Sequence, residues 1–316
     1  MLVFRGVPTL ATTSTVLTIG NFDGVHRGHR ALLERLIAKA RACALPATVL
    51  TFEPHPREFF AHGQAPARLS NLREKLELFA ECGVDRVHVC RFNAVLAALT
   101  AEEFIETMLV KGLSVRHLII GDDFCFGKDR KGNFAMFQQA GIVHHFGTEA
   151  MGTVAQDHLR ISSSAVRDAL AAGDIEQARA LLGRAYVIAG RVMRGEKIGR
   201  TLGFPTLNLR IKHTRLPVAG VFAVTVSGID AQPLPGVANI GVRPTVAAGL
   251  RPVLEVHLLN FDRDIYGMHV SVNFLHKLRN EEKFASLDLL KAQIGRDVVA
   301  ARDYFDAYPL DNNAHG

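Results

Sequence analysis

The 316-residue chain has an ordinary globular composition, with 48% hydrophobic residues, 22% charged residues and a net charge of +6. This balance excludes a disordered, collagen-like or coiled-coil protein, and the length favours about two domains. No apolar run approaches the ~18 residues that span a bilayer, and the first residues lack the basic and apolar regions of an export signal. The four cysteines form no Cys-x-x-Cys pair, so we expect no zinc knuckle and no disulfide framework, and a reducing cytoplasm fits best.

The first half alternates short apolar runs with amphipathic stretches, a pattern typical of βαβ units around a parallel sheet. We predict strands at Thr15–Gly20, Ala47–Phe52, Val84–Cys90, Val115–Gly121 and Ile142–Phe146. The first helix is marked by apolar residues at helical spacing, namely Leu32, Leu33, Leu36, Ile37 and Ala40. Two further helices are predicted at Ala165–Ala171, after three possible capping serines, and from Asp174 through Leu182. An α/β domain is therefore expected over residues 1–183.

The second half, residues 184–316, is rich in β-branched runs that glycine and proline interrupt, as in an antiparallel sheet or small barrel. Strands are predicted at Ala185–Met193, Val221–Val226, Val253–Leu259 and Val270–Leu275. One helix after a capping Ser286 is expected to close the domain, from apolar residues at steps of three and four: Leu287, Leu290, Ile294, Val298, Ala301 and Phe305. This half carries 17 basic against 12 acidic residues, so it should prefer anions.

A candidate phosphate site lies between the first predicted strand and the first predicted helix. The segment Gly20–His29, GNFDGVHRGH, opens that helix, whose N-terminal N–H groups and dipole favour an anion. Gly24 and Gly28 allow close backbone approach, and His26 and His29 can donate imidazole N–H bonds to one phosphate. The alternatives are a glycine-rich turn with surface histidines, or a zinc pair, for which no third ligand is evident.

This segment resembles the HxGH motif of the nucleotidylyltransferase superfamily, and the longer string resembles the FMN adenylyltransferase module of bacterial FAD synthetases. Three more blocks match that module: TFEPHP at residues 51–56, GDDFCFG at 121–127 and ISSSAVR at 161–167. The resemblance implies a Rossmann-like fold and adenylyl transfer from ATP to FMN. Because such a transfer depends mainly on in-line positioning and charge neutralisation, no proton-abstracting base is required.

The same resemblance assigns the site residues. His26 and His29 would stabilise the charge on the α- and β-phosphates of ATP. Asp123, where some relatives carry asparagine, would lie beside ATP and the flavin phosphate, and a nearby Mg²⁺ would offset its charge. The departing pyrophosphate would be held by Ser163, Ser164 and Arg167, and the nucleotide loop would contribute Gly20, Asn21, Phe22, Asp23 and Gly28. The alternatives are that the serines are only helix caps and that Arg167 is a surface charge; Phe52, Phe124 and Phe126 are interpreted as core residues.

A basic, glycine-containing stretch in the second half suits polyphosphate. Between Arg191 and Arg215 lie seven basic residues and one acid. Phe204 is the single aromatic residue there, so the stretch offers no stacking platform for bases, and nucleic acid is not an expected partner.

The second half resembles riboflavin kinases through GRTLGFPTLN at residues 199–208, NIGVRPT at 239–245 and EVHLLNF at 255–261. Leu207 stands where that family commonly has alanine. The resemblance implies that Thr206 and Asn208 hold ATP and Mg²⁺, that Glu255 is the general base, and that Arg279 closes on the flavin. The other ATP-binding residues would be Gly195, Lys197, Gly199 and Arg200. Without the resemblance, Glu255 is better explained as a solvent-facing or paired carboxylate, and the Arg279 segment as a solvated charge cluster.

Together the resemblances imply a bifunctional enzyme of flavin cofactor biosynthesis. Riboflavin and ATP would give FMN, and FMN and a second ATP would give FAD and pyrophosphate, with Mg²⁺ required for both steps. The expected partners are the small molecules ATP, riboflavin and FMN, without nucleic acid or membrane. Three alternatives stay open: a kinase with an inactive first half, a nucleotidylyltransferase for another substrate, and a non-catalytic flavin- or RNA-binding regulator.

Overall fold

The computed structural model describes residues 1–61, 64–152, 154–156, 159–194, 203–211, 215–245 and 249–310. The fold divides into two compact units. The first unit contains Met1–Pro66 and Ser70–Ser162, and the second contains Ala67–Leu69 and Ser163–Gly316. Within the described residues, no helix has the length and apolar character needed to cross a membrane.

The first unit is built on a six-stranded sheet in which all neighbouring strands are parallel. Its strands are β1 (Leu2–Arg5), β2 (Thr15–Ile19), β3 (Ala47–Glu53), β4 (Arg86–Arg91), β5 (Val115–Gly121) and β6 (Gly147–Met151). The order β1-β4-β3-β2-β5-β6 reverses direction between β2 and β5. Ligands of open α/β sheets bind in the crevice outside the carboxyl ends of the strands at such a reversal. A two-stranded ribbon follows the sheet, formed by β7 (Ala155–Gln156) and β8 (Leu159–Arg160).

Helices cover both faces of this sheet. They are α1 (Arg27–Ala42), α2 (Pro56–Ala61), α3 (Leu72–Glu81), α4 (Ala94–Ala98), α5 (Ala101–Phe104), which continues as a π-helix over Ile105–Lys111, and α6 (Phe134–His144). A short 3₁₀ turn spans Lys128–Arg130. On one face, Leu33 and Leu36 of α1 join Phe79 of α3 in a buried cluster, and on the other Phe104 and Phe137 pack with the π-helix. Side chains of β2 and β3 alternate between the two clusters, as expected for strands covered on both sides.

Four of the five predicted strands of this unit are confirmed within two residues. The fifth, Ile142–Phe146, is wrong, because the segment is the end of α6 and the next strand starts only at Gly147. Asn133 caps the helix by accepting a bond from the backbone of Met136, and His145 ends it in the left-handed conformation. Ile142 and Val143 are exposed at the helix end, so their apolar character does not indicate a buried strand.

The second unit opens with α7 (Ser163–Ala172) and α8 (Ile175–Leu182) and continues as a closed six-stranded barrel. The barrel strands are β9 (Tyr186–Met193), β10 (Leu207–Arg210), β11 (Gly220–Ser227), β12 (Leu234–Thr245), β13 (Gly249–Leu258) and β14 (His269–Arg279). All neighbours are antiparallel, in the closed order β10-β13-β12-β11-β14-β9. Four of these strands were predicted. The sequence did not indicate β10, which has only four residues, or β12, which contains two prolines and two glycines.

The predicted closing helix is confirmed as α9 (Leu287–Ala307), with Ser286 accepting a bond from the backbone of Leu289 at 3.2 Å. Val298 and Ala301 of this helix pack on Val221 and Ala223 of β11, so α9 covers part of the outer barrel face. The helices α7 and α8, which the sequence assigns to residues 1–183, belong to the compact unit that contains the barrel.

Candidate active sites

The nucleotide loop follows β2 and enters α1 through a strongly bent backbone. Phe22, Gly24 and Val25 all have positive φ, at 50°, 82° and 39°. Phe22 and Val25 are nevertheless fully buried in the core beneath α1. Burial of these two side chains offsets the cost of a conformation that non-glycine residues rarely adopt.

Buried polar contacts with Ser70 and Lys75 hold the same loop in place. Asp23 Oδ1 accepts a bond from the backbone N–H of Ser70 at 3.1 Å, and Ser70 Oγ accepts one from the backbone of Gly24 at 3.0 Å. The buried Lys75 donates from Nζ to the carbonyl of Asn21 at 2.7 Å. Asp23 and Asn21, both predicted to bind nucleotide, therefore shape the loop itself.

The two histidines of the motif lie together at the start of α1. His26 is the N-cap residue, and its Nδ1 accepts a bond from the backbone N–H of His29 at 3.3 Å. The rings of His26 and His29 stack with centroids 3.6 Å apart and planes inclined by 16°. Because Nδ1 of His26 is an acceptor here, the neutral ring carries its proton on Nε2 and can donate it to an anion. The helix N-terminus favours an anion at the same place.

Gly28 sets the position of the His26 ring. A Cβ atom at residue 28 would lie 3.3 Å from both Nδ1 and Cε1 of that ring, a contact that requires the ring to shift. We expect Gly28→Ala to leave the helix as stable or up to ~1 kcal/mol more stable, because alanine favours helix. We expect FAD formation from FMN to slow about tenfold, because small displacements of positioning groups cost rate. Thermal unfolding and a chromatographic FAD assay measure the two effects, and an unchanged FAD rate would contradict the positioning role.

A second loop follows β5, the hydrogen-bonded neighbour of β2, so both loops lie at the same edge of the sheet. It carries Asp123, whose exposed carboxylate forms an ion pair with Arg160. The charge of Asp123 is thus compensated by the protein's own arginine. Phe126 is buried and stacks on Phe137 at 4.0 Å, and Phe52 is buried in the same cluster, which confirms the core interpretation of both residues.

The sequence reasoning missed an aromatic cluster at the carboxyl ends of β3 and β4. Phe59 and Phe60 of α2 contact Phe92, which follows β4, with ring centroids 5.5 and 5.7 Å apart. Phe60 is 65% exposed, so one face of the cluster is available to a planar ligand. Two consecutive phenylalanines, which begin three residues after the end of the TFEPHP block, were the available signal.

The predicted pyrophosphate group lies on α7, in the second unit. Ser163 and Ser164 form its first turn, and Arg167 follows one turn later. Arg167 donates from Nε to the carbonyl of Ala67 at 2.6 Å. The serines are thus placed where backbone N–H groups of a helix favour anions. Their role toward ATP stays a prediction.

On the barrel, the register of three strands brings polar residues into one row. Glu255 of β13 is the direct partner of Asn208 on β10 and of Asn239 on β12. Such partners have Cβ atoms about 4.5–5.5 Å apart. The residues that alternate with them, such as Leu254 and Leu209, are buried, so the row faces outward. Asn239 was not assigned a role from the sequence, although it begins the NIGVRPT block.

Arg279, at the end of β14, is fixed to the closing helix. Its Nε and Nη2 each donate to one carboxylate oxygen of the buried Asp297 at 2.8 Å, and Gln293 donates to the same carboxylate at 2.8 Å. Hydrogen bonding to Asp297 raises the pKa of the Arg279 guanidinium. Arg279 pairs in register with Val221, which pairs with Asn239. The ion pair therefore ties α9 to the strand end beside the row.

Loss of the Asp297 carboxylate should destabilise the contact between α9 and the end of β14. For Asp297→Asn we expect the free energy of unfolding to fall by about 2–3 kcal/mol, since a largely buried guanidinium loses its counter-charge. We also expect the KM for riboflavin to rise, while FAD formation from added FMN stays unchanged. Urea unfolding and the two assays measure these effects. Asp303→Asn, an exposed carboxylate on the same helix, is the matched control, and equal effects of both changes would contradict the prediction.

The remaining predicted residues Gly195, Lys197, Gly199 and Arg200 lie outside the described residues. Thr206 lies directly before β10, two positions from Asn208. Among the described residues there is no group of three or more His, Cys, Asp or Glu side chains that could hold a metal ion.

Comparison with known proteins assigns both units. The family model for FAD synthetase matches residues 9–165, and the model for riboflavin kinase matches residues 182–305. A bifunctional riboflavin kinase/FMN adenylyltransferase of Escherichia coli K12 is 52% identical over 96% of this chain and 98% of its own length. The chain belongs to this family. The Pseudomonas fluorescens member of the bifunctional kinase/adenylyltransferase family is 53% identical over 91% of this chain and 92% of its own length.

The fold of this bifunctional family has a solved counterpart. A Streptococcus pneumoniae structure described as a macrolide-efflux protein has a TM-score of 0.80 and 29% identity, covering 96% of this chain and 99% of that one. The chain is thus a riboflavin kinase and FMN adenylyltransferase with an N-terminal nucleotidylyltransferase-like sheet and a C-terminal closed barrel. Its substrates are ATP, riboflavin and FMN, and the reactions of this family use ATP together with a divalent metal.

Proposed function

We propose that the two ATP-dependent steps run at separate sites, the barrel row making FMN and the histidine pair making FAD. The observation that carries this division is the outward row of Asn208, Glu255 and Asn239 on a closed barrel, in a different compact unit from His26 and His29. For the adenylyltransferase we retain residues 1–183, because the ISSSAVR element at residues 161–167 completes its predicted phosphate-binding set.

In the kinase step, the ribityl 5′-hydroxyl oxygen of riboflavin attacks the γ-phosphorus of ATP, and the bond to the β,γ-bridging oxygen breaks to release ADP. Glu255 accepts the hydroxyl proton as the new P–O bond forms. Asn208, its register partner, and Thr206 hold the ATP phosphates from the adjacent strand. The row supports these roles because the base, Glu255, must reach the riboflavin hydroxyl while Asn208 reaches the phosphates of the ATP bound beside it.

The donor set beside Glu255 fits Mg²⁺. The Thr206 hydroxyl and the Asn208 carboxamide are hard oxygen ligands of the kind that Mg²⁺ accepts beside waters and phosphates. When bound, Mg²⁺ would neutralise charge that develops on the transferred phosphoryl group. Thr206 and Asn208 would hold it, and Glu255 would accept the proton.

In the adenylyl step, a phosphate oxygen of FMN attacks the α-phosphorus of ATP, and the α,β-bridging oxygen leaves with pyrophosphate. The attacking phosphate is already ionised, so the protein's contribution is charge stabilisation and alignment. His26 donates from Nε2 to this charge and His29 assists it, while Ser163, Ser164 and Arg167 hold pyrophosphate. The exposed face of Phe60 is suited to the flavin ring at the same sheet edge.

We also propose a cytoplasmic location for the enzyme. All four cysteines are free thiols, as a reducing compartment requires, and ATP is a substrate of both steps.

A time course tests the proposed sequence of reactions. The full chain is incubated with riboflavin, ATP and Mg²⁺, and the flavins are separated by chromatography. We expect FMN to rise first and FAD to follow. FMN without FAD would contradict the adenylyl role of the histidine pair, and no formation of FMN would contradict the kinase role of the barrel row.

Removal of the metal is expected to stop both steps. With chelator in excess over divalent cations, the rates of FMN and FAD formation should fall at least 10²-fold, because phosphoryl and adenylyl transfer need charge neutralisation. Added Mg²⁺ should restore both rates, and Ca²⁺, which is larger and tolerates irregular coordination, should restore them poorly. Full activity in chelator would contradict the assignment.

A further inference from the structure

The first unit contains a cavity of about 380 Å³ at the amino edge of its sheet. Thr15, Thr48 and Arg86, which line it, lie at the amino ends of β2, β3 and β4. The nucleotide loop leaves the opposite, carboxyl edge, roughly 15–20 Å away at ~3.3 Å per strand residue. The cavity therefore does not belong to the adenylyl site, although its size is that of a small-molecule pocket.

The ionisable groups of this cavity are basic. Arg5, Arg86 and His88 line it, and no aspartate or glutamate does so among the residues that the structure describes. The acid next in sequence, Asp85, is engaged by Arg41 at 2.9 and 3.2 Å and by the backbone of Ala47 at 2.8 Å. Arg86 itself donates to the neutral hydroxyl of Thr13. The cavity thus carries positive charge that favours an anion.

One wall of the cavity is aromatic and apolar. The rings of Phe4 and His88 stack with centroids 4.8 Å apart and planes inclined by 14°. Burial lowers the pKa of His88, whose Nδ1 donates to the carbonyl of Gly6 at 2.9 Å, so the ring is neutral near pH 7. Val7 and Leu10 extend the apolar lining. This wall suits a planar hydrocarbon ring and not a bare inorganic ion.

We propose that this cavity binds a small organic anion, composed of a planar aromatic ring and one carboxylate or phosphate group. Arg86, which shares a face of the sheet with Phe4 and His88, holds the anionic group, and the ring lies along the wall formed by Phe4 and His88. The carboxylate and phosphate forms share this chemistry, so the experiment includes one of each. The site is independent of the flavin chemistry assigned above.

Fluorine NMR of three probes tests the proposal on the full chain. 4-Fluorobenzoate and 4-fluorophenyl phosphate carry the proposed chemistry, and 4-fluorobenzamide is the uncharged comparison. We expect at least one anionic probe to bind saturably and at least tenfold more tightly than the amide. The tighter of the two anions identifies the carboxylate or phosphate form. Equal binding of the amide, or no binding of either anion, would overturn the proposal.

Single substitutions test whether the anionic probe binds in this cavity. Arg86→Gln should weaken binding of the anionic probe at least tenfold, and Phe4→Leu, which removes the aromatic wall, should weaken it about threefold. Phe4 is exposed on the edge strand, so its variant tests the proposal even where Arg86→Gln does not fold. Arg116→Gln is the matched control, because Arg116 also donates to a nearby hydroxyl, that of Ser14, but does not line the cavity. Equal losses in Phe4→Leu and Arg116→Gln, or no loss in any variant, would overturn the proposal.

Discussion

Replacing Glu255 by glutamine is expected to slow FMN formation by about 10²–10⁴-fold, the contribution of a positioned general base. Glutamine keeps the shape of the side chain and the outward row of the barrel, but it cannot accept the proton of the ribityl hydroxyl. Formation of FAD from added FMN should stay unchanged, because the histidine pair lies in the other unit. Chromatography of the flavins measures both rates in one preparation.

The control for Glu255→Gln is Asp230→Asn, which removes a carboxylate of the same unit that is paired with Arg263 on the surface. We expect this control to keep both activities. Loss of FMN and FAD formation together in Glu255→Gln, with the fold intact, would contradict a two-site enzyme. A kinase rate equal to that of the original chain would show that another group takes the proton.

Two substitutions at His26 separate its chemical role from its helix-capping role. His26→Asn keeps a good N-cap and removes the imidazole, whereas His26→Ala removes both. We expect both variants to lose FAD formation by about 10²-fold or more, comparable with removal of one preorganised donor in other enzymes. His26→Ala alone should also lose about 1 kcal/mol of stability from the missing cap.

Riboflavin kinase activity serves as the internal control for these variants, and His144→Asn on α6 is the matched histidine control. We expect the His26 variants to keep the kinase rate of the original chain, and His144→Asn to keep the rates of both FMN and FAD formation. If His26→Asn retained the FAD rate while His26→Ala lost it, the imidazole would be only a cap, and the assigned contact with phosphate would be wrong. Thermal unfolding of each variant supplies the stability comparison.

The sequence predicts well what periodicity and local motifs encode. The strand Val115–Gly121 and the cap at Ser286 could be placed because burial on both faces and capping chemistry depend on neighbouring residues. The segment Ile142–Phe146 was misjudged because β-branched residues can also end an exposed helix. The edge strand β1 was missed, since its four residues are exposed and its pairing with β4 joins distant parts of the chain.

The candidate sites likewise contain residues that a local motif predicts and residues that only the folded chain brings together. The histidine motif could be recognised because its residues are contiguous, whereas the row of Asn208, Glu255 and Asn239 depends on barrel register, which no local pattern encodes. The partner of Arg279, Asp297, is another residue that only the folded chain brings into contact. Asn21 and Asp23 were predicted as ligand-binding residues, and their buried partners, the Lys75 ammonium and the backbone N–H of Ser70, could not be inferred from sequence.

The register of β13 also constrains which changes of chain length the barrel can accept. Glu255 lies between Leu254 and Val256, both of which are fully buried. Because successive side chains of a strand face opposite sides, a one-residue insertion or deletion that shifts this strand would turn the carboxylate into the hydrocarbon interior and a leucine or valine outward. Length variation among descendants of this chain should therefore collect in the connecting loops, while the strand that bears the base keeps a fixed number of residues.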